Sequence, residues 1–154
     1  MSDTPFRTAR LEFVPVTKEA AAAVIAGDLS GLEVGDGWPH EDTRDGLGGV
    51  AMGADAWFVV VDGKVIGDCG THGPADEAGD IEIGYGIGAP WRGRGYGNEI
   101  AAGLARHVAA WPGVRRVVAN EVLADNTPSR RALENAGFEL VRETPTETWY
   151  ALEV

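Results

Sequence analysis

Apolar and polar residues alternate in several short runs of the chain, which is the pattern of strands with one buried face. Leu11 and Phe13 mark the first run, and Val117, Val118 and Val122 mark a later one. The alternation predicts strands at residues 8–16, 57–61, 64–71, 81–87, 115–123, 138–142 and 148–152.

Helices are predicted where apolar residues recur every three or four positions. Ile100, Leu104 and Val108 form such a face in the longest helix, which ends at Trp111 before Pro112. The predicted helices are residues 18–26, a short stretch near 40–50, the segment that ends at Trp111, and 128–136.

The order of these elements predicts an α+β fold. Asp62-Gly63 is a two-residue hairpin turn, so the strands on either side of it are expected to pair antiparallel. With the next strand they form an antiparallel meander in the middle of a mixed sheet that helices flank. The length of 154 residues predicts a single domain, residues 1–154.

A glycine-rich stretch, residues 92–97, lies between a predicted strand and the longest predicted helix. It reads Arg-Gly-Arg-Gly-Tyr-Gly. Glycines let a backbone approach a ligand closely, a helix N-terminus offers unpaired N–H groups to an anion, and arginines add positive charge. The stretch therefore predicts a site for a phosphorylated ligand. It lacks the Gly-Lys-Ser/Thr of a Walker loop.

The net charge of −11 is unevenly distributed. Residues 92–131 hold seven arginines against three acids, a net charge of +4, whereas residues 28–82 hold thirteen acids against two bases, a net charge of −11. The first segment suits an anionic ligand and the second a cationic one, although acidic surface also serves solubility. An acidic total argues against nucleic acid as a partner.

The apolar runs, the single cysteine and the histidines bear on where the protein acts and whether it binds a membrane or a metal. No apolar run reaches about 18 residues and no secretory leader precedes the first strand, so we expect no membrane contact. The single cysteine, Cys69, fits the cytoplasm and is expected to be a buried strand residue rather than a nucleophile. The histidines His40, His72 and His107 are too scattered to predict a metal site.

Two motifs together resemble the GNAT superfamily of N-acetyltransferases. The first is Arg92-x-x-Gly95-x-Gly97, and the second is Asn126-x-x-Ser129 followed by Gly137-Phe138. With the strand Ile-Glu-Ile-Gly-Tyr at residues 81–85, the pattern is similar to the RimJ/RimL-like branch, the ribosomal-protein N-terminal acetyltransferases and their relatives. The resemblance covers the element order of the whole chain and implies the acyl-CoA N-acyltransferase fold.

The resemblance implies that acetyl-CoA is the co-substrate. Its pyrophosphate would rest on the loop, and its pantetheine would pair with the strand edge as an added strand does. Asn126 would also contact pantetheine, although an asparagine there caps a helix equally well. The residues implied are Arg92, Gly93, Arg94, Gly95, Tyr96, Gly97 and Asn98 for the pyrophosphate, and Gly86, Ile87, Gly88, Asn126 and Ser129 for the rest of the cofactor.

The same resemblance implies Glu82 and Ser129 as the catalytic residues. An amine acceptor is protonated near neutral pH and must lose a proton before it attacks the thioester, and Glu82 could take that proton directly or through water. Ser129 would protonate or stabilise the leaving thiolate, since Leu133 stands where many relatives carry a tyrosine acid. Either residue could instead have no catalytic role, Glu82 as an exposed glutamate of a strand and Ser129 as a serine in the first turn of a helix. The rival bases are Glu121, Asp68, Asp80 and His72.

The resemblance implies that the acceptor enters from the side opposite the cofactor. Aromatic rings beside carboxylates suit an organic cation, so a cationic amine is the expected acceptor. The residues expected to line its site are Trp38, His40, Trp149 and Tyr150. A homodimer is implied only by the resemblance. A module that binds acyl-CoA without turnover is the alternative function, because the glycine-rich loop alone would serve it.

Overall fold

In the computed structural model, which describes residues 4–154, the strands lie side by side in one sheet. They are β1 (Phe6–Arg7), β2 (Glu12–Pro15), β3 (Ala56–Val61), β4 (Lys64–Thr71), β5 (Asp80–Ile87), β6 (Arg116–Leu123), β7 (Glu139–Glu143) and β8 (Glu147–Glu153). Their order across the sheet is β1-β2-β3-β4-β5-β6-β8-β7. Each neighbouring pair is antiparallel except β5 and β6, which run parallel.

Helices cover both faces of the sheet. They are α1 (Lys18–Ile25), α2 (Thr43–Gly48), α3 (Tyr96–Ala109) and α4 (Thr127–Asn135), with 3₁₀ turns at Gly49–Met52 and Ala89–Trp91. Leu104 of α3 and Leu133 of α4 pack with Trp57 in the larger core, while Val24 of α1 and Leu47 of α2 pack with the smaller one. The result is three layers. Among the described residues, no helix is both long and apolar enough to cross a membrane.

The predicted α+β fold is confirmed, with a central antiparallel meander flanked by helices. The elements that we expected between residues 8 and 152 all occur, with ends that differ by a few residues. Asp62, with φ of 48°, and Gly63, with φ of 78°, form the tight turn between β3 and β4, as the Asp-Gly pair predicts. Strand β1 was not predicted, because two residues are too few to show alternation.

Strands β5 and β6 separate soon after they begin. Their ladder consists of three residue pairs, Asp80–Arg116, Ile81–Val117 and Glu82–Val118. Beyond it β6 remains paired with β8 through an irregularity between Ala119 and Val122, where Glu121 has a φ of 55°. The two strands therefore diverge toward their carboxyl ends and leave a wedge-shaped opening in the sheet.

Packing of α3 on the sheet is expected to contribute strongly to stability. The side chain of Leu104 is fully buried, whereas that of Leu140 on β7 is 41% exposed. Leu104→Ala should lower the free energy of unfolding by about 2–5 kcal/mol, because it removes buried methyl groups and leaves a cavity. The matched change Leu140→Ala should cost less than about 1 kcal/mol. Urea denaturation of both variants tests this, and equal losses would contradict the described packing.

Candidate active site

The opening between β5 and β6 is a cavity of about 620 Å³. It brings together Tyr85 and Gly86 of β5, Asn126 and Ser129 at the start of α4, and His40 and His72 from the opposite face of the sheet. The second sequence motif and the predicted cofactor strand therefore meet in one place.

The backbone of β5 is available along this cavity. Gly88 N–H donates to Ile66 of β4 at 2.8 Å, and the carbonyl of Glu82 accepts from His72 N–H at 2.9 Å. Because backbone groups point alternately to the two sides of a strand, residues 83, 85 and 87 direct theirs toward β6. Since β6 has diverged there, these groups face the opening rather than a ladder partner. An extended ligand could bind them as an added strand would.

The predicted pantetheine residues lie at the end of this edge. Ile87 has its carbonyl on the open side, where it accepts a hydrogen bond from Arg92 Nε at 3.4 Å. Gly86 lies under the ring of His40, and Gly88 lies against the backbone of Gly37. A Cβ on Gly88 would come within 3.0 Å of the Gly37 carbonyl oxygen, so this crossing requires glycine.

The glycine-rich loop leads directly into α3. Gly93 and Gly95 have φ angles of 77° and 84°, a backbone conformation that favours glycine. The N–H of Glu99 bonds to the carbonyl of Gly95 at 3.2 Å. The amides before it, of Tyr96, Gly97 and Asn98, lie in the first turn of a helix and lack intrahelical acceptors. Within the part of the chain that the structure describes, no side chain caps this end of the helix, which leaves the amides for an anionic ligand.

Both arginines of the loop are exposed beside that helix end. The guanidinium of Arg94 lies 5.1 Å from the ring centroid of Trp91. Asn98 accepts a long hydrogen bond of 3.4 Å from Asn135, which links α3 to α4. Positive side chains beside uncapped amides fit a pyrophosphate group.

Arg10, which no pattern in the sequence singles out, holds this loop in place. Its Nε lies 2.7 Å from Glu99 Oε1, and another guanidinium nitrogen donates to the carbonyl of Arg94 at 2.9 Å. The same guanidinium lies 4.4 Å from the ring centroid of Tyr96. Burial disfavours ionisation of Glu99, but hydrogen bonds from Thr8 and Arg10 outweigh it and hold the pKa of Glu99 below its usual range.

Ser129 and Tyr85 meet across the cavity. The side-chain oxygen of Asn126 accepts from Ser129 N–H at 3.3 Å and so caps α4, which is one of the two roles that the sequence left open for it. The hydroxyl of Tyr85 lies 3.4 Å from Ser129 Oγ. Burial raises the pKa of Tyr85, and the hydrogen bond to Ser129 only partly opposes that. Tyr85 is therefore a protonated hydroxyl at neutral pH. The sequence showed it as part of the strand motif but without a role.

Glu82 lies on the opposite face of β5 from Tyr85, since side chains alternate along a strand. Its Oε2 is 2.9 Å from His72 Nδ1. Glu82 lines a second cavity of about 340 Å³, which also contains Asp76, Asp80 and Arg142. His72 lines this cavity and the larger one.

Of the residues expected around the acceptor, His40 lies in the larger cavity, paired with Asp68. Both side chains are 6% exposed, and Nε2 of His40 is 3.2 Å from Asp68 Oδ2. Burial lowers the pKa of His40, but the hydrogen bond and the charge of Asp68 outweigh it and raise that pKa overall. Asp68 also accepts from Trp38 Nε1 at 2.9 Å and from Thr43 at 2.8 Å.

The other three residues expected around the acceptor, Trp38, Trp149 and Tyr150, lie in different surroundings. Trp38 is 4% exposed and lines neither cavity, because its indole packs into the smaller core and supports Asp68. Trp149 lines the smaller cavity, and the guanidinium of Arg142 lies 4.4 Å from its ring centroid. Tyr150 forms part of the same wall but is fully buried, and its hydroxyl donates to Glu134 at 2.8 Å.

The remaining candidates are also located by the structure. Cys69 is 4% exposed on β4, and burial raises the pKa of its thiol well above its usual range. It therefore stays a thiol near neutral pH and a weak nucleophile. Asp80 is engaged with Arg116 at 2.7 and 3.1 Å. Within residues 4–154, no three His, Cys, Asp or Glu side chains are grouped as metal ligands.

The sequence is similar to known proteins. The model of the acetyltransferase (GNAT) domain family matches residues 10–139. The N-acetyltransferase YjdG of Bacillus subtilis (strain 168) is 30% identical over 119 residues, which are 70% of each chain.

Solved structures share the fold at lower identity. The ribosomal L7/L12 α-N-protein acetyltransferase RimL, in complex with coenzyme A, has a TM-score of 0.74 at 17% identity over 98% of each chain. The ribosomal-protein-S5-alanine acetyltransferase of Vibrio fischeri has a TM-score of 0.72 at 13% identity over 98% of this chain and 97% of its own.

The family match spans the glycine-rich loop before α3 and also the diverging strands and the Asn126–Ser129 motif, which line the larger cavity. The chain belongs to the GNAT acetyltransferase family and is an acetyl-CoA-dependent N-acetyltransferase.

Proposed function

We propose that the protein transfers an acetyl group from acetyl-CoA to a cationic primary amine by direct attack within a ternary complex. The observation that carries this proposal is the cavity between β5 and β6. It joins an open strand edge, a hydroxyl pair and several carboxylates, and the strand that forms its edge leads through the glycine-rich loop into the uncapped N-terminus of α3. No covalent enzyme intermediate is needed, since the amine and the thioester can meet in one space.

In the proposed complex, the loop from Arg92 to Gly97 and the amide of Asn98 hold the pyrophosphate of acetyl-CoA. The uncapped amides of α3 and the two exposed arginines support this role. Pantetheine then follows the open edge of β5 past Ile87 and Gly86 toward Asn126. A backbone N–H on this edge stabilises the oxyanion that forms at the thioester carbonyl.

The departing thiolate of coenzyme A is proposed to take its proton from Ser129. Ser129 lies in the cavity with its hydroxyl 3.4 Å from that of Tyr85. Because Tyr85 is protonated at neutral pH, it can donate to Ser129 as Ser129 donates to sulfur. The two hydroxyls together form a relay, which explains how a serine can serve where Leu133 replaces a tyrosine.

The proton of the acceptor ammonium is proposed to leave toward Glu82, on the other face of β5. This position separates the acid and the base by the thickness of the strand, with the thioester between them. Glu82 contacts His72, which reaches both cavities. The pair therefore connects the carboxylate with the space in which the amine would lie.

Electrostatics of the larger cavity favour a positively charged acceptor. Among its lining residues are Asp42, Asp45, Asp68 and Glu121, and none of those that the structure describes is lysine or arginine. The carboxylates would attract an ammonium group and disfavour an anionic acceptor. The α-amine of a basic protein and a small polyamine both belong to the proposed acceptor class. RimL and the Vibrio fischeri enzyme are named for ribosomal proteins, which keeps a protein α-amine among the acceptors to test.

The acceptor class can be tested with a panel of primary amines that carry additional positive, no additional, or negative charge. At low ionic strength, the most cationic amines should give the highest kcat/KM, and that advantage should shrink with added salt. Thiol release from acetyl-CoA measures the rate. Faster turnover of neutral or anionic amines would contradict a cationic acceptor, and tight acetyl-CoA binding with no turnover would favour the sensor alternative.

Removal of the Ser129 hydroxyl should slow thiolate departure. We expect Ser129→Ala to lower kcat about 10²-fold while the KM for acetyl-CoA changes little, because a positioned acid contributes about that much. Ser30→Ala, which removes an exposed hydroxyl bonded to Asp28, is the matched control and should keep full activity. An unchanged kcat for Ser129→Ala would exclude Ser129 as the acid.

Arg10 is expected to act through the loop that it holds. Arg10→Ala should raise the KM for acetyl-CoA about tenfold with a smaller change in kcat, because it removes hydrogen bonds that fix the pyrophosphate loop. Arg7→Ala is the control, since Arg7 is 75% exposed and pairs with Glu12 at the surface. Steady-state kinetics with varied acetyl-CoA measures both. A fall in kcat alone would contradict a role in cofactor positioning.

A further inference from the structure

His72 stands where the two cavities meet. Its ring lines both the larger cavity, which holds Ser129 and Tyr85, and the smaller one, which holds Glu82. Glu82 lines only the smaller cavity. An amine placed beside the thioester therefore reaches His72 before it reaches the carboxylate.

The contact with Glu82 sets the tautomer of the ring. Nδ1 of His72 lies 2.9 Å from Glu82 Oε2, so Nδ1 carries a hydrogen and donates it to the carboxylate. The other nitrogen, Nε2, then has a free lone pair and can accept a proton. A carboxylate that orients an imidazole in this way also stabilises the imidazolium that forms when the ring is protonated.

A glycine of β5 places the ring against the strand. A Cβ on Gly84 would come within 2.9 Å of His72 Nε2. Any larger residue at position 84 would push this nitrogen away from the strand edge. The side chain of His72 is also 56% exposed, so a ligand in the cavity can reach it.

The other histidine of the cavity does not offer this chemistry. His40 has a 6% exposed side chain. Its Nδ1 accepts from the backbone N–H of Asp42 at 3.2 Å, and its Nε2 faces Asp68 at 3.2 Å. Both nitrogens are thus turned to protein groups, and the ring holds the segment before α2 against Gly86.

We propose that His72 Nε2 is the atom that accepts the proton from the acceptor amine and that Glu82 is its positioning residue. This inference rests on the proposed function. The acceptor ammonium gives one proton to Nε2, and the freed nitrogen lone pair forms a bond to the thioester carbon. The carbon–sulfur bond then breaks, and the thiolate takes a proton from the Ser129 relay. The nitrogen, positively charged once it has bonded to carbon, loses its second proton through water to the relay, which is thereby restored. The imidazolium returns its proton to water, so one amide, one thiol and one proton are the products.

Several charged groups share the surroundings of His72 and bear on its pH dependence. From the cavities and the elements that line them, they are Glu82, Asp76, Asp80, Arg116 and Arg142 on one side, and His40, Asp42, Asp45, Asp68 and Glu121 on the other. Glu121 is the one carboxylate of β6 in the larger cavity, and it is the rival acceptor of the proton.

The test compares His72→Gln, Glu82→Gln, the double variant and Glu121→Gln. His72→Gln should lower kcat about 10²-fold or more, with little change in the KM for acetyl-CoA. Glu82→Gln should lower kcat by a smaller factor of about ten, and the double variant should be no slower than His72→Gln, because the two groups act as one unit. Binding of coenzyme A, measured by calorimetry, shows that each variant is folded.

The pH profile separates a base from a structural histidine. In the unmodified protein kcat/KM should rise with pH and then level off once the base is deprotonated, whereas in His72→Gln it should keep rising with hydroxide. Imidazole added to His72→Gly should restore part of the activity. An activity that depends on Glu82 but survives His72→Gln would make the carboxylate the base, and a loss confined to Glu121→Gln would move the base to β6.

Gly84→Ala gives a second and independent variant. The added methyl should displace His72 Nε2 and lower kcat while coenzyme A still binds. Gly48→Ala is the matched control, because its Cβ would meet no atom within 4 Å. Full activity of Gly84→Ala would overturn the role of His72. Absence of turnover with every amine in the unmodified protein would instead refute the proposed function itself.

Discussion

The structure depends on the point at which β5 and β6 cease to pair. At the end where the strands still pair, Arg116 donates two hydrogen bonds of 2.7 and 3.1 Å to Asp80. These bonds join the first residues of both strands. After Glu82 the ladder is lost, and with it several backbone hydrogen bonds that a continuous sheet would have made. An extended ligand that lay along β5 would satisfy those groups, as the next strand of a continuous sheet would.

Neighbouring elements hold the strands apart. β6 is kept in position by β8, with which it pairs along most of its length, and α3 and α4 fill the core beneath the opening. Glycines of β5 matter on the other face of the sheet. The rings of His72 and His40 lie directly over Gly84 and Gly86, where a Cβ would come within 2.9 and 2.6 Å of them. The same strand thus presents unpaired backbone groups along the opening and close-packed imidazoles on the other face of the sheet.

Much of this molecule could be predicted from sequence because the signals are local. Alternation, the Asp62-Gly63 turn and the Asn126 cap each operate over a few residues, and the structure reproduces the corresponding strands, hairpin and helix. The glycine-rich loop is likewise a local motif.

Features formed between distant residues could not be predicted in the same way. Arg10 meets Glu99 across 89 positions, and Trp38 meets Asp68 across 30, and no short-range pattern indicates either contact. Trp38 in particular was expected beside the acceptor because it is an aromatic residue within the acidic segment 28–82. The structure instead places its indole in the smaller core as a hydrogen-bond donor. His72, the residue after β4, lies opposite Glu82 of β5. This contact depends on the pairing register of β4 and β5, which the sequence pattern does not specify.

The position of β8 between β6 and β7 has a consequence for biosynthesis. β6 has no antiparallel neighbour until β8 is made, and residues 124–146, including α4 and β7, lie between the two strands in the chain. On the ribosome, β6 therefore emerges with one unpaired edge, and the wall of the cleft that carries Asn126 and Ser129 cannot be fixed until residue 153 has left the exit tunnel. The meander from β2 to β5 contains only sequence-adjacent pairings and can form earlier, so the two halves of the cleft would mature at different times during translation.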